Sequence, residues 1–470
     1  IEGNELTVAM ADPFDVVAHD TLYKRTGCQI KPVKADRDQI QVAIEEAYGE
    51  EINVDQSLLE LVTVDEVIAQ EDYAESDLKI EADDAPVIRL VNLILLQAIE
   101  NGASDIHIEP SEHSVSVRLR VDGSMKDITA PPKSLFHAVV SRIKILASMD
   151  IAERRVPQDG RARVKFRDKQ VDLRVNSLPT VHGESVVMRL LDKANLFGDV
   201  SELGLDSFHE QVLLDAISRP HGMIYLTGPT GSGKTTTLYS SLQHLNSRER
   251  KIITVEEPVE YEVAGINQVH VRSDIGLSFA NALRAILRQD PDIIMVGETR
   301  DSETAEIAVR AALTGHLVFS TLHTNDAPST ITRLVDLGIE PYLISSSLNL
   351  VIAQRLVRRI CEKCKTETHP SDLVLRRLEG VTNFAIPSTI YAGEGCNECG
   401  KTGYRGRVAI HEFLSLNTHI REMVMNEAKE SEIEAASVAM GCHTLMGSGI
   451  QKVETGLTTL EEVLKIALDE

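Results

Sequence analysis

The sequence predicts an α/β protein with a parallel central sheet and a smaller α+β module before it. Four short apolar runs after residue 205 alternate with segments of helical spacing, which is the pattern of strands joined by helical crossovers. Between residues 85 and 196, strands of alternating apolar residues accompany two amphipathic helices. Two cysteine pairs and a mainly helical stretch then complete the chain.

Composition limits the classes of protein that fit. Hydrophobic residues make up 43% of the 470, which excludes a mostly disordered chain. No apolar run approaches the ~20 residues that span a bilayer. The net charge of −24 argues against a general nucleic-acid binder, which needs a basic face. Ile1 is not a start methionine and nothing resembles a signal peptide, so we expect residues before Ile1.

The first 84 residues are strongly acidic, with 22 Asp and Glu against 6 Lys and Arg. We interpret residues 1–50 as part of an N-terminal domain, with a strand at Glu5–Met10 and a helix at 36–48. Residues 51–84 are interpreted as an acidic linker, with a short helix over the apolar cluster at 58–62.

Residues 85–196 are predicted to form the α+β module. A helix at 85–99 ends at Asn101-Gly102, and Asp122-Gly123 is typical of a hairpin turn. A second helix is predicted at 134–149. Strands are predicted at 106–108, 115–121, 161–166, 171–175 and 186–190.

After a linker at 197–204, residues 205–355 are predicted to hold the parallel sheet, with strands at 223–226, 252–255, 293–296 and 317–320. The first of these strands runs directly into a phosphate-binding pattern, G-x-x-x-x-G-K-[ST]. In such a loop the glycines let backbone N–H groups approach phosphate oxygens, the lysine contacts the β- and γ-phosphates, and the following hydroxyl binds Mg²⁺. The motif comprises Gly228, Pro229, Thr230, Gly231, Ser232, Gly233, Lys234 and Thr235, with Thr236 after it.

Polar residues follow three other strands of this predicted sheet. Glu298 comes after the strand at 293–296 and could activate water, the alternative being a solvated loop acid. Glu256 and Glu257 end another strand and could hold a metal ion or remain solvated. His323 ends the fourth strand and is interpreted as a γ-phosphate sensor or as a structural hydrogen bonder.

The cysteines form two CxxC pairs, Cys361 with Cys364 and Cys396 with Cys399. Two such pairs match a tetrahedral four-thiolate zinc site, which leaves no open position for catalysis. No thioredoxin-like βαβ pattern surrounds them, so a redox pair is the weaker interpretation. We assign residues 356–410 to a Cys₄ zinc subdomain and residues 411–470 to a helical region.

Several arginines could form a basic face toward phosphates, although a single arginine is more often a solvated surface residue. Those in the second module and the core are Arg120, Arg174, Arg189, Arg284 and Arg288, and Arg405 follows the cysteines.

Together these motifs resemble the secretion-superfamily ATPases of the type II secretion and type IV pilus assembly branch. The phosphate loop, 253–260, 287–292, Gly297-Glu298 and 320–324 occur in that family's order, and 104–109 and 155–161 are similar to its second domain. Residues 1–50 are similar to the C-terminal half of its N-terminal domain.

The resemblance implies a RecA-like P-loop ATPase core after a PAS-like domain. It implies a homo-hexameric cytoplasmic motor that uses ATP, Mg²⁺ and Zn²⁺ and acts at the inner membrane only through a platform protein and other secretion or pilus proteins, without nucleic acid. By motif position, Lys234 and Thr235 contact phosphate and Mg²⁺, Glu256 and Glu257 form the Asp box, Glu298 is the catalytic acid and His323 the His-box residue. The six arginines match those around the nucleotide and the subunit interfaces.

Two positions depart from the family's pattern. Glu257 replaces an aspartate and Thr299 replaces an apolar residue, so we expect a working but slower enzyme. Residues 254–255 and 284–288 favour a role in type II secretion over one in pilus extension. A nucleic-acid-translocating ATPase of the same superfamily and a nucleotide-binding scaffold with little turnover remain alternatives.

Overall fold

The computed structural model describes residues 5–10, 26–36, 62–63, 85–166, 169–192, 198–371, 374–375 and 387–468. The chain divides into two compact units, residues 1–121 with 125–191, and residues 122–124 with 192–470. Apart from Asp36, the helix predicted at 36–48 lies outside the described residues, as does most of the acidic linker. No helix among the described residues is both long and apolar enough to cross a membrane.

The first unit begins with a parallel pair of strands, β1 (Glu5–Met10) and β2 (Gln29–Lys34). The strand predicted at Glu5–Met10 is therefore confirmed. A short strand, β3 (Val62–Thr63), pairs antiparallel with residues 165–166. The short helix predicted over the apolar cluster at 58–62 is wrong for Val62, because the Val62 backbone pairs with a neighbouring strand.

A seven-stranded sheet in the order β3-β7-β8-β9-β4-β5-β6 makes up most of this unit. Both predicted helices and all the predicted strands are present; the strand at 115–121 has its predicted bounds and the other strands are longer than expected. The elements are α1 (Ala85–Glu100), β4 (Asp105–Pro110), β5 (Val115–Val121), β6 (Ser124–Ile128), α2 (Phe136–Leu146), β7 (Gln158–Phe166), β8 (Lys169–Thr180) and β9 (Gly183–Asp192).

The core of the first unit lies between this sheet and its two helices. Every second residue of β5 is buried, as its alternating sequence requires, and Val117 and Leu119 point into the core. Leu95 of α1 and Phe136 of α2 are buried in the same apolar cluster. The pattern that predicted the strands thus also determines which face of the sheet the helices cover.

The second unit is built on another seven-stranded sheet, in the order β12-β11-β13-β14-β10-β15-β18. Its first half contains α3 (Ser207–Ile217), β10 (Gly222–Thr227), α4 (Lys234–Leu245), β11 (Ile252–Glu256), β12 (Ile266–His270), α5 (Phe279–Ile286), β13 (Ile293–Val296), α6 (Ser302–Leu313) and β14 (Leu317–Leu322). Its second half contains α7 (Ser329–Asp336), α8 (Pro341–Ser347), β15 (Leu348–Ile360), β16 (Lys365–Thr368), β17 (Ile390–Gly393), β18 (Tyr404–Ser415), α9 (Thr418–Met425), α10 (Glu430–Ala439), α11 (Leu445–Glu454) and α12 (Leu460–Leu468).

The four strands predicted for the core are confirmed as β10, β11, β13 and β14, and neighbouring pairs among them are parallel. All their residues are buried, which is typical of a parallel sheet covered by helices on both faces. Three further strands extend this sheet. β12 and β15 join it in parallel, and β18 pairs antiparallel with β15.

Two long strands cross domain boundaries that the sequence predicts. β15 continues past the predicted boundary at residue 355, and β18 continues past the predicted boundary at residue 410. The cysteine pairs lie between these strands, next to a small hairpin of β16 and β17. After β18 the chain is helical, as predicted for the last residues.

Candidate functional site

The functional residues predicted in the core gather at one edge of the second sheet. Because β11, β13, β14 and β10 are adjacent and parallel, their carboxyl ends meet at that edge. Glu257 follows β11, Glu298 follows β13, His323 follows β14 and the phosphate loop follows β10. Chain segments that are distant in sequence therefore lie in one row.

The phosphate loop has the backbone that close approach to phosphate requires. Gly228 has φ 139° and Gly233 has φ 91°, both in the region that favours glycine. A Cβ atom at Gly228 would lie 2.4 Å from the Gln354 carbonyl oxygen, and one at Gly233 would lie 2.6 Å from the Gln354 amide nitrogen. The buried Ser232 hydroxyl has no hydrogen-bond partner among the described residues, which fits a loop built to hold phosphate oxygens.

Lys234 begins α4 and lies across this loop. Its Nζ donates to the carbonyl oxygens of Gly228 at 2.6 Å and Pro229 at 3.0 Å. Burial and the neighbouring Arg355 guanidinium lower the pKa of Lys234 to about 8, against an opposing effect of Glu298. Thr235 and Thr236 follow in the exposed first turn of α4, where the helix dipole favours an anion.

Arg300 holds the two acidic residues of this edge together. Its Nη2 lies 2.5 Å from Oε1 of Glu298, and its Nη1 donates to Oε2 of Glu257 at 3.2 Å. The other oxygen of Glu298 lies 3.7 Å from Nε2 of His323. The structure therefore brings Glu298, Glu257 and His323 together around one guanidinium, and Glu298 has one oxygen that Arg300 does not bind.

Hydroxyl groups connect the loops that carry these residues. Thr324 donates its backbone N–H to Oγ1 of Thr227 at 2.8 Å, which ties the end of β14 to the end of β10. Thr321 donates its hydroxyl to the Gly297 carbonyl at 2.7 Å, which ties β14 to the turn before Glu298. These bonds fix the position of His323 and Glu298 relative to the phosphate loop.

Glu256 does not lie with Glu257. Its carboxylate is buried and accepts hydrogen bonds from Tyr239 at 2.5 Å, Thr254 at 2.6 Å and Gln268 at 3.2 Å. Burial and this carboxylate raise the pKa of Tyr239. Adjacent residues of a strand point to opposite faces, so only one of the two glutamates can reach the site edge. The catalytic assignment of Glu256 stays a prediction, and its contacts are those of a structural residue.

Thr299 is turned into the core rather than toward the phosphate loop. It is buried, and its hydroxyl lies 2.8 Å from that of Ser320 and 3.5 Å from that of Tyr225. The Thr299 side chain therefore contributes to packing, with its polar atom satisfied.

The four cysteines converge as a zinc site requires. The sulfur atoms of Cys361 and Cys396 are 3.8 Å apart, those of Cys364 and Cys399 are 3.9 Å apart, and those of Cys396 and Cys399 are 3.7 Å apart. A tetrahedron with Zn–S bonds of ~2.3 Å has edges of about 3.8 Å. Backbone N–H groups of Cys396 and Gly403 donate to Sγ of Cys399 and hold its pKa below the usual range of a thiol.

The predicted arginines are spread over both units. In the first unit, Arg189 on β9 and Arg120 on β5 pair with buried Asp105, at 2.9 and 3.8 Å, and Arg174 lies on β8. In the second unit, Arg284 pairs with Glu303 at 2.5 Å, Arg288 donates to the Arg284 carbonyl at 2.8 Å, and Arg405 pairs with Glu398. Their contacts with nucleotide stay predictions.

Sequence reasoning missed three residues that shape this site. Arg300 follows Glu298 by two positions, and this spacing could have drawn attention to it. Arg355 donates to the Asn325 carbonyl at 3.1 Å, and Gln354 accepts from Thr237 at 2.8 Å beside the phosphate loop. The last two lie on β15, whose place next to β10 could not be inferred from the sequence.

Comparison with family models gives two matches. Residues 80–465 match the type II/IV secretion system protein family. Residues 1–54 match the MshEN domain. The two matches together span both units of the structure.

Individual relatives are nearly half identical. The type IV pilus assembly ATPase PilB of Myxococcus xanthus is 50% identical over 98% of this chain and 82% of its own length. The type II secretion system ATPase E of Vibrio cholerae is 49% identical over 85% of this chain and 79% of its own. The type II secretion system protein E of Pseudomonas aeruginosa is 50% identical over 84% and 78%.

Solved structures show the same fold. A structure of the pilus retraction motor PilT with bound ADP has a TM-score of 0.56 and 30% identity, over 80% of this chain and 96% of that one. The ATPase DotB of Legionella pneumophila has a TM-score of 0.59 and 23% identity, over 81% and 96%. The predicted α/β fold class is confirmed.

Proposed function

The chain belongs to the type II/IV secretion system protein family and is an ATPase coupled to type II secretion or type IV pilus assembly, and on that premise we propose how its residues carry out the reaction. The observation that carries the proposal is the row formed by the phosphate loop, Glu298 and His323 at one sheet edge. ADP is bound in the related retraction motor, which supports ATP as the nucleotide here.

The phosphate loop binds the β- and γ-phosphates through its backbone N–H groups, and the Lys234 ammonium moves from the loop carbonyls to the phosphates. Glu298 accepts the proton of the attacking water on the oxygen that Arg300 leaves available. His323 contacts the γ-phosphate beside it. Each of these groups is held by a strand end, so little reorganisation is needed.

Two metal ions belong to this proposal. Mg²⁺, when bound, neutralises phosphate charge, and the Thr235 hydroxyl and Glu257 carboxylate are the groups that would hold it or its waters. Zn²⁺ would be held by Cys361, Cys364, Cys396 and Cys399, whose spacing fits its tetrahedron. Four thiolates fill the coordination sphere, so this zinc is structural.

We further propose that the working form is a homo-hexamer on a membrane platform protein at the cytoplasmic face of the inner membrane. The relatives named as pilus assembly and type II secretion ATPases support this assignment. The six arginines named above would then contact nucleotide within a subunit or across subunit boundaries.

The test is steady-state ATP hydrolysis measured against protein concentration, with mass photometry on the same samples. For the wild type we expect specific activity to rise with concentration as hexamers form. K234A should bind ATP only weakly and E298Q should bind ATP without turnover, whereas H419A, an exposed helix residue, should match the wild type.

Two results would change the proposal. Nucleotide binding without turnover at any concentration, in zinc-containing protein, would favour a nucleotide-responsive scaffold. If specific activity is constant while the chain stays monomeric, the proposed hexamer is contradicted but the proposed ATPase activity is not.

A further inference from the structure

Two arginines of the second unit lie together at the sheet edge opposite the phosphate loop. Arg219 comes between α3 and β10, and Arg421 lies on α9. The amino ends of β10 and β15 meet at this edge, because the two strands are parallel and Met223 pairs with Leu348. The six residues of β10 separate this edge from the phosphate loop by about 20 Å. A ligand bound here would therefore be distinct from the nucleotide.

Both guanidinium groups bind the same oxygen atom. Nη1 of Arg219 donates to Oδ1 of Asn349 at 3.0 Å, and Nη2 of Arg421 donates to that oxygen at 3.4 Å. Asn349 is 6% exposed, and its Nδ2 donates to the His221 carbonyl at 2.9 Å, which directs Oδ1 toward the arginines. Gly222 has φ 121°, and a Cβ atom there would overlap the Asn349 amide. The start of β10 is therefore shaped to hold one neutral acceptor between two cations.

The two positive charges have no acidic counterpart among the described residues. Burial and the neighbouring Arg219 guanidinium lower the pKa of Arg421, and no carboxylate of the described part of the chain offsets them. Main-chain carbonyls hold Arg421 in place, because its Nε donates to Leu416 at 3.0 Å and its Nη2 donates to Leu348 at 2.8 Å. Two like charges fixed side by side repel each other, so their arrangement favours a bound anion.

Hydrogen-bond donors remain available for such an anion. Arg219 is exposed and uses only Nη1 toward the described residues, so its Nε and Nη2 groups can act as a fork. Nη1 of Arg421 likewise makes no hydrogen bond to a described residue. A guanidinium fork matches two oxygens of an oxyanion, and two guanidinium groups match the charge of a dianion. A phosphate group meets both conditions.

We propose that Arg219 and Arg421 form a binding site for a phosphate dianion, supplied as free phosphate or as a phosphate monoester, with Asn349 fixing the spacing of the two guanidinium groups. A bound dianion would connect the end of α3 to α9 across the first residues of β10 and β15. The net charge of −24 repels anions from the chain as a whole. Binding therefore depends on this local pair and should weaken as the ionic strength rises.

The experiment is equilibrium dialysis of radiolabelled inorganic phosphate at low ionic strength. The protein carries one equivalent of a non-hydrolysable ATP analogue with Mg²⁺, so that the phosphate loop is occupied. We expect the wild type to bind one equivalent of phosphate per chain. R219M should weaken this binding about fivefold or more, and R219K should weaken it less, because an ammonium keeps the charge but not the fork. N349D, which places a carboxylate between the two guanidinium groups, should weaken it at least as much as R219M.

The matched control is R248M, because Arg248 is an exposed arginine of the same unit. It should bind phosphate as the wild type does, and circular dichroism should show that every variant is folded. Competition with glycerol 2-phosphate distinguishes the two sources of the dianion. Displacement at a lower concentration than unlabelled phosphate requires indicates a monoester, and displacement only at a higher concentration indicates free phosphate. The proposal is overturned if the wild type binds no phosphate besides the occupied phosphate loop, or if R219M and N349D bind it as the wild type does.

Discussion

Glu257 and Arg300 form an ion pair between the loops that follow β11 and β13, with 3.2 Å between Nη1 and Oε2. The same guanidinium binds Glu298 at 2.5 Å, so one side chain spans both acids of the site edge. An aspartate at position 257 would end about one bond length short of this contact. The longer side chain therefore contacts the guanidinium that also binds Glu298, the proposed catalytic acid.

We predict that R300A lowers kcat about tenfold or more and changes the KM for ATP less than threefold. Without Arg300 the Glu298 carboxylate can rotate, which disturbs the chemical step more than nucleotide binding. R300K should retain part of the activity, because one ammonium cannot bind both carboxylates in the same geometry. The measurement is steady-state ATPase kinetics.

R310K is the control, since Arg310 makes an exposed helix-surface pair with Glu306. The pair with Glu257 is more than one-third exposed and should contribute little on its own. E257Q does not test the pair alone, because the Glu257 carboxylate is also proposed to hold Mg²⁺ or its waters. An R300A enzyme with wild-type kcat would show that Arg300 has no positioning role.

The sequence could predict the parts of this site that depend on local patterns. The phosphate loop after β10, the acid after β13 and the histidine after β14 each follow an apolar strand, so parallel topology alone places them at one edge. The two CxxC pairs likewise predict a four-cysteine metal site from their spacing alone. These features needed no knowledge of the tertiary structure.

Other features depend on contacts between distant segments. β15 and β18 complete the sheet through antiparallel pairing across the cysteine lobe, and that register is not encoded in either strand alone. Glu256 and Glu257 are chemically alike, and only the register of β11 shows which one is buried. Arg219 and Arg421 come from distant parts of the second unit, and nothing in their local sequence connects them.

Nucleotide affinity should fall at alkaline pH because of Lys234. Its pKa of about 8 means that the free protein loses the ammonium above that pH, while phosphate binds only the charged form. We expect the Kd for ATP to rise toward tenfold per pH unit above about pH 8 and to be nearly constant from pH 6.5 to 7.5. A fluorescent-ATP titration across this range measures it.

Two variants distinguish deprotonation of Lys234 from a general loss of structure at alkaline pH. Arg355 lowers the pKa of Lys234, so R355M should move the loss of affinity to higher pH whatever its effect on binding itself. In K234A, weak residual binding should show no such dependence. The explanation fails if the pH profile of R355M coincides with that of the wild type.

Removal of the zinc proposed for the four-cysteine site should loosen the lobe between β15 and β18. Purified protein should contain at least one zinc per chain, and C361S or C399S should each lose this zinc, because both sulfurs are buried within the cluster. Limited proteolysis should then cleave within residues 361–404, which the metal no longer holds together. Metal analysis and peptide mapping are the measurements.

C28S is the matched control, since Cys28 lies in the first unit and outside the cluster. It should keep the zinc content and the cleavage pattern of the wild type. Full zinc content in the C361S–C399S double variant would contradict the assignment.

Glu412 on β18 makes folding stability depend on pH. Its carboxyl accepts backbone N–H groups from Ala327 and Leu445, each at 3.1 Å, so it joins the start of α7 to the start of α11. Burial raises the pKa of Glu412 to about 7, and the nearby acids Asp326 and Glu434 add to this effect.

The sign follows from the two states of the chain. The unfolded carboxyl loses its proton near its usual pKa of about 4.5, whereas the folded one retains it until about pH 7. The contribution of this group to stability is therefore complete below about pH 4.5 and is lost as the pH rises to about 7, by roughly 2–3 kcal/mol.

E412Q has no proton to lose, so the free energy of unfolding of E412Q relative to the wild type should increase by that amount from pH 5 to pH 8. Urea denaturation at both pH values measures it, with E461Q, an exposed helix residue, as the control that should show no such difference. Equal shifts for E412Q and E461Q would mean that Glu412 is ionised in the folded protein throughout this range.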